Sequence, residues 1–302
     1  MILGVPVTQF VRELYHEVNE DDVFNGAAVL GFYLTLAIFP AMILTMAVIP
    51  YLPIANVDQA IMDLLRQALP AEAATMFTDV VEEVTSEQRG GLLSFGALAT
   101  LWATSTGMYA VMQQLNISYD VKEARGFVRA RLMAIGLSLM FGLLIIGAFS
   151  LIVLGGVMQD WIGAQIGASG AVLAFFAGLR WVIIVLALLL AFALIYYFAP
   201  NVEQDFAFIT VGSVIGTVTL VLASLGFAWY AQSFGDYSAT YGSVGAVIVL
   251  MLWLYIAGLA ILLGSEINSL IEHHAASGKN KGERAPGEKD RGWQGGRQQG
   301  VH

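Results

Sequence analysis

Few side chains in this sequence can do chemistry, and their settings matter more than their types. Glu266 lies in "ILLGSEIN" (261–268), and no charged residue precedes it back to Asp236. Ionisable groups at membrane depth are costly and are functional candidates by default. Two readings of Glu266 stay open. It is a helix-end carboxylate at the headgroup level, or it faces other helices and there pairs with a cation or exchanges a proton. Gly264 beside it allows a second helix to approach closely, and Asn268 adds an amide. Arg180 either snorkels to the interface or, if the stretch before it re-enters the membrane, lines a cavity and binds an anionic group. Thr106, Tyr109, Gln113 and Asn116 are spaced three, four and three, so they share one helical face. Lipid offers no hydrogen-bond partners, so this face is expected to turn into a bundle. There it bonds between helices or lines a substrate path.

Enzymatic constellations are poor. The four histidines are His16, His273, His274 and His302, and there is no cysteine. No HExxH, Walker A, Rossmann glycine or GxSxG pattern is present. The reading is non-enzymatic, with no catalytic residue, metal or cofactor expected. Asp79, Glu82, Glu83 and Glu87 have helical spacing that could gather a divalent cation, but they read first as a solvated helix face. A net charge of −9 argues against attraction to nucleic acid or anionic lipid.

The elements that must position these residues follow from composition. The chain has 302 residues, 58% hydrophobic and only 12% charged, with mean hydropathy +0.73. A soluble domain carries about 25% charged residues. The charges here are also segregated, leaving long charge-free runs. A spanning helix needs about 20 apolar residues, and six stretches qualify: 27–49, 92–113, 132–156, 181–199, 207–230 and 244–265. The expected fold is all-α, a polytopic membrane protein of six transmembrane helices over residues 26–272. Pro40 interrupts the first span and clashes with the carbonyl of Leu36, which predicts a kink or local unwinding. Gly212 and Gly216 form a GxxxG packing signal in the fifth.

Residues 1–25 form a cytoplasmic amphipathic segment, with Val7, Phe10, Leu14 and Val18 on one face. Its place is the membrane surface or the cytoplasmic ends of the bundle. In the long acidic loop of about 50–90, two amphipathic helices are expected. Val57, Ile61, Leu64, Leu65 and Ala68 line one; Pro70 starts the other, with Met76, Phe77, Val80, Val81 and Val84 on its face. The glycine-rich stretch 161–179 reads as an extracytoplasmic or re-entrant hairpin, with a seventh span as the alternative. Residues 273–302 read as a disordered cytoplasmic tail.

Lys and Arg set the orientation. With six spans, one side holds eleven of the fourteen: Arg12, Lys122, Arg125, Arg129, Arg131 and six in the tail. Both termini are therefore expected in the cytoplasm.

Four segments together carry a resemblance: "GFYLTLAIFP" (31–40), "LNISYDVKEARGFVRARLMAIGLSL" (115–139), "YYFAPNV" (196–202) and "YSATYGSVGAVIVLMLWLYIAGLAILLGSEIN" (237–268). They resemble the YihY/BrkB family of bacterial inner-membrane proteins, over roughly residues 10–272. Gly31–Phe32 stands where the family has Ala–Tyr, and Ser265 where it often has Ala. The resemblance implies a multi-pass bacterial inner-membrane protein of six helices and no settled activity. The family once carried a ribonuclease label, one branch carries a virulence name, and some members look like exporters or lipid transporters. The expectation is a permease that exports a small solute or a lipid, with the bilayer as its surroundings and no nucleic-acid partner. The alternatives are a non-transporting envelope scaffold linked to stress or virulence, and a membrane-associated ribonuclease. Oligomeric state is left open, a homo-oligomer included.

Overall fold

The computed structural model describes residues 6–48, 90–166, 170–202, 209–233 and 243–274. The paired helices expected in the long loop, the acidic set at 79–87 and the tail beyond residue 274 lie outside them. Seven helices make up the described residues, with no strand among them: α1 (Val7–Glu20), α2 (Val23–Val48), α3 (Gly90–Ser118), α4 (Phe127–Ile166), α5 (Gly170–Phe198), α6 (Val211–Ser233) and α7 (Ser243–His273). Each of the six expected spans falls chiefly within one of α2 to α7. An apolar chain in lipid must satisfy its own backbone groups, and a helix does so within one segment.

Each helix from α2 to α7 packs on its chain neighbours, and α7 returns to pack on α2, so the six close into a ring. α7 also meets α3 across the ring. Leu30, Met112, Leu115 and Leu262 are fully buried where α2, α3 and α7 meet. The outward faces of α4, α5 and α6 are apolar and exposed, with Leu143, Trp181 and Leu222 among them. Such broad apolar exposure fits a lipid surround.

By length and composition, four helices are fit to cross a membrane: α4, α5, α6 and α7. The α1–α2 pair, bent by 55°, passes the same test only if the two helices are counted together as one span. α3 falls outside this count among the described residues, because Thr100, Thr104, Ser105, Thr106, Gln113, Gln114 and Asn116 lower its hydropathy.

Residues 161–166 continue α4 and 170–179 open α5, so the described part of the glycine-rich stretch forms the ends of two long helices and not a separate span. Helix α2 continues through Pro40, so of the kink and the local unwinding expected there the unwinding is absent. The Pro40 carbonyl accepts a hydrogen bond from Thr100 Oγ1 at 3.1 Å.

One end of the bundle is built differently. Arg131, in the second turn of α4, reaches Trp102 and Thr106 on α3. Gly212, in the first turn of α6, lies beside Gly264 and Asn268 on α7. So the last turns of α3 and α7 outrun their neighbours. α1 packs across the end of α7, with Phe10 and Leu14 against Ile267, Leu270 and Ile271. α1 thus packs against the bundle at the end of α7.

Candidate functional site

Residues 264–270 of α7 are buried without interruption, on every face of the helix. Glycine makes this possible on one side. A Cβ on Gly212 would run into the Gly264 carbonyl, and one on Gly264 would meet the Tyr196 hydroxyl and the Gly212 carbonyl. A Cβ on Gly216 would strike the Phe192 ring at 2.8 Å. The GxxxG pair therefore seats α6 against both α7 and α5. Tyr196 donates to the Ile261 carbonyl at 2.9 Å and ties α5 to the same turn of α7.

The first turn of α6 is capped from two directions. Thr210 and Ser213 exchange backbone-to-hydroxyl bonds of 3.0 Å each, in the manner of a capping box. The Gly212 N–H, otherwise an orphan donor, donates to Asn268 Oδ1 at 2.8 Å.

On the opposite side of α7 sits Glu266, 1% exposed. Its carboxyl meets the Asp21 carboxyl and the Ser118 hydroxyl. Its Oε1 finds no hydrogen-bond partner among the described residues. The charged groups that act on it are Asp21, Glu17 and Asp120, all acids. Three elements bring them there. Glu17 comes from α1. Asp21 sits at the α1–α2 joint, next to Asp22, whose left-handed backbone (φ 52°) makes the bend. Asp120 (φ 54°) ends α3 in a Schellman motif, with Val121 N bonded to Asn116 O at 2.9 Å and Asp120 N to Ile117 O at 2.8 Å. Aspartate tolerates this conformation better than most residues. Burial and the charges of Asp120, Glu17 and Glu20 push the Asp21 carboxyl up to about 7. Burial and Asp120 raise Glu17 as well. Glu266 is thus a buried carboxyl beside other acids.

A second polar cluster braces the α3–α4 connection. Asn116 Nδ2 donates to Glu123 Oε2 at 3.1 Å, and its Oδ1 accepts from Asn201 N at 2.7 Å. Glu123 takes a two-pronged ion pair from Arg125, Nε at 2.7 Å and an Nη at 2.8 Å. That guanidinium also donates to the Ala199 carbonyl at 2.8 Å, capping the C-terminus of α5. Burial opposes the charge on Glu123, but the hydrogen bonds and charge of Arg125 prevail and hold it below the usual carboxylate range. A third tie is His274 to Glu13 at 2.7 Å, between α7 and α1.

The sequence-expected residues divide accordingly. Glu266, Asn268, Gly264 and Gly212 converge on one end of α7, while Gly216 packs against Phe192 and Tyr196 of α5. Asn116 belongs to the brace beside it. The polar stripe of α3 does not face the interior as a unit. Thr106 serves Arg131, which also stacks on Trp102 with its guanidinium 3.9 Å from the ring centroid. Tyr109 is partly buried against the core, and Gln113 is exposed. An α-helix turns 100° per residue, so a stripe drifting by three, four and three spans more than one neighbour. Gln114, its sequence neighbour, is the glutamine that faces inward, against Gly26 of α2. Arg180 lies within α5, eighteen residues before Phe198, about 27 Å along the helix. It is far from Glu266, because the Tyr196 end of α5 is what meets α7.

Sequence reasoning missed Asp21, Ser118 and Asp120 as partners of Glu266, and Glu123, Arg125 and Asn201 as a brace. The segment around 116–125 signalled the second group by its density of polar residues. Nothing local signalled the first.

A ring of long apolar helices with lipid-fit outer faces defines an all-helical membrane protein. No solved structure matches the chain. The family model described as Virulence factor BrkB matches residues 14–288, and the chain belongs to that family. The Bacillus subtilis protein YfkH, whose name calls it ribonuclease-like, is 36% identical over 87% of this chain and 94% of its own length. UPF0761 membrane proteins of Vibrio parahaemolyticus and Vibrio campbellii are 26% and 25% identical, each over 87% of this chain and 82% of theirs.

Proposed function

We propose that this protein is a permease of the bacterial inner membrane that exports a small solute or a lipid. In this reading α2 to α7 all span, and both termini are cytoplasmic. The lengths support six spans: the helices run from 23 to 40 residues, and about 20 suffice to cross a hydrocarbon core. The Lys/Arg asymmetry supports the orientation. The observation that carries the reading is the buried polar end of α7, where Ser265, Glu266, Asn268 and Ser269 lie inside the bundle. Buried polar groups in such a helix mark paths for ions and substrates.

The same acids weigh against a ribonuclease, since a phosphate backbone is drawn to cations. A carrier, not an enzyme, suits them. The test is flux through purified protein in liposomes, across solute classes and fluorescent lipids, with Glu266→Gln alongside. Movement of at least one class, reduced in Glu266→Gln, is the expected result. No flux of any class would sink the permease. A reporter fused to the C-terminus should read cytoplasmic; an outside signal would overturn the topology.

A further inference from the structure

The polar end of α7 holds a feature that the permease reading alone does not require. Glu266 and Asp21 bring two carboxyl groups together, one of them 1% exposed. An ionised carboxylate only accepts hydrogen bonds, so two of them bind each other only with a proton between. The charged groups that act on the pair are acids, which cannot take the place of that proton. α1 presents Glu17 and Glu20, and the end of α3 presents Asp120 and the Ser118 hydroxyl. Of the histidines at this end, His16 is engaged with Glu20 and His274 with Glu13, and His273 lies seven residues beyond Glu266 on α7. Glu266 Oε1 has no donor among the described residues although its atom is buried. An acceptor in that state calls for a ligand that donates a hydrogen bond and occupies almost no volume. Among the described residues, no three acids or histidines are placed to hold a metal ion.

We propose that Asp21 and Glu266 form one proton-binding site, in which a shared proton holds the α1–α2 joint against α7 and loss of that proton frees the joint. Loss leaves two carboxylates side by side among further acids, which repel. The joint is the element that repulsion would act on. It joins two helices bent by 55° and carries Asp22 in a left-handed conformation. Asp21, which lies outside the spanning helices, is pushed up to about 7, so the exchange falls in the physiological range. The proton's use as coupling ion for export rests on the permease reading; the site itself does not.

Infrared difference spectra of the full chain in lipid nanodiscs, between about pH 5 and about pH 9, read the carboxyl groups directly. A protonated-carboxyl band lost on raising pH in the wild type, and absent in both Asp21→Asn and Glu266→Gln, is expected. No titrating carboxyl in the wild type, or a band that persists in both variants, would overturn the proposal. The wild-type measurement stands even where a variant fails to fold. The chain has no cysteine, so spin labels placed at the exposed Val11 and Ile117 report the α1–α3 distance without background. That distance should lengthen with pH in the wild type and stay short in Glu266→Gln; the same pH response in both would also overturn it. Flux without carboxyl titration keeps the permease and removes the proton site. Titration without flux keeps the site and removes the permease.

Discussion

Asn268 Oδ1 accepts a hydrogen bond from the Gly212 N–H at 2.8 Å, so a side chain of the last helix caps the first turn of the one before it. The contact also fixes how closely the two helices pass, since Gly212 and Gly264 leave no room for a Cβ between them. Asn268→Ala leaves a buried donor unpaired and should cost about 1–2 kcal/mol. Gly212→Ala meets backbone, which cannot move aside, and should cost about 1–3 kcal/mol or more. Thermal unfolding in detergent would rank them. Equal midpoints for Gly212→Ala and the wild type would refute the close crossing.

The Glu123–Arg125 pair should be asymmetric to removal. The side chains are 19% and 8% exposed, so losing one partner strands the other. Arg125→Ala should cost about 3–5 kcal/mol, and the double variant Glu123→Gln, Arg125→Met distinctly less. A double-mutant cycle on unfolding midpoints measures this; strictly additive losses would argue that the pair is uncoupled.

Stability should fall as pH rises toward neutrality. Asp21 keeps its proton to about 7 in the fold but only to about pH 3.9 when unfolded. Between these values the folded state binds more protons, so its stability decreases with pH. The contribution is complete below about pH 4 and gone once pH passes about 7. Glu123 acts in the opposite sense, contributing above its unfolded pKa of about 4.3 and losing that contribution as pH falls further. Midpoints measured across this range should decline in the wild type and flatten in Asp21→Asn. An unchanged slope in that variant would place the titrating group elsewhere.

Two amides of one sequence stripe should behave differently. Gln113 is exposed, and Gln113→Leu should shift stability by no more than about 0.5 kcal/mol. Asn116 bonds both Glu123 and Asn201, and Asn116→Leu should cost about 2–3 kcal/mol through the partners it abandons. Similar midpoints for the two variants would show that the stripe acts as one face after all.

Much of the helical layout was legible because hydropathy is local. Residues 27–49 or 207–230 announce a helix by their own composition, wherever they end up. The boundaries were less legible where glycine diluted the signal. Residues 161–179 read as a hairpin because their apolar content is thin, and helical structure reaches further into the stretch than that reading gave it, with 161–166 part of α4 and 170–179 part of α5. Pro40 read as a kink or local unwinding because it removes a donor; the helix runs through it, and Thr100 binds the carbonyl at that turn.

The sequence by itself determined a chain of long apolar helices, the special status of Glu266 and the packing role of Gly212, Gly216 and Gly264. Each of these depends on residues within a few positions of one another. Only the tertiary structure decided what Glu266 faces. Its neighbours come from residues 17, 21, 118 and 120, which reach α7 because the ring closes α2 onto it and α1 folds across its end. Hydrophobic periodicity states that a face is buried but not against which helix. The partner of a buried carboxyl is therefore fixed by the order in which the helices pack, and no single segment encodes that order.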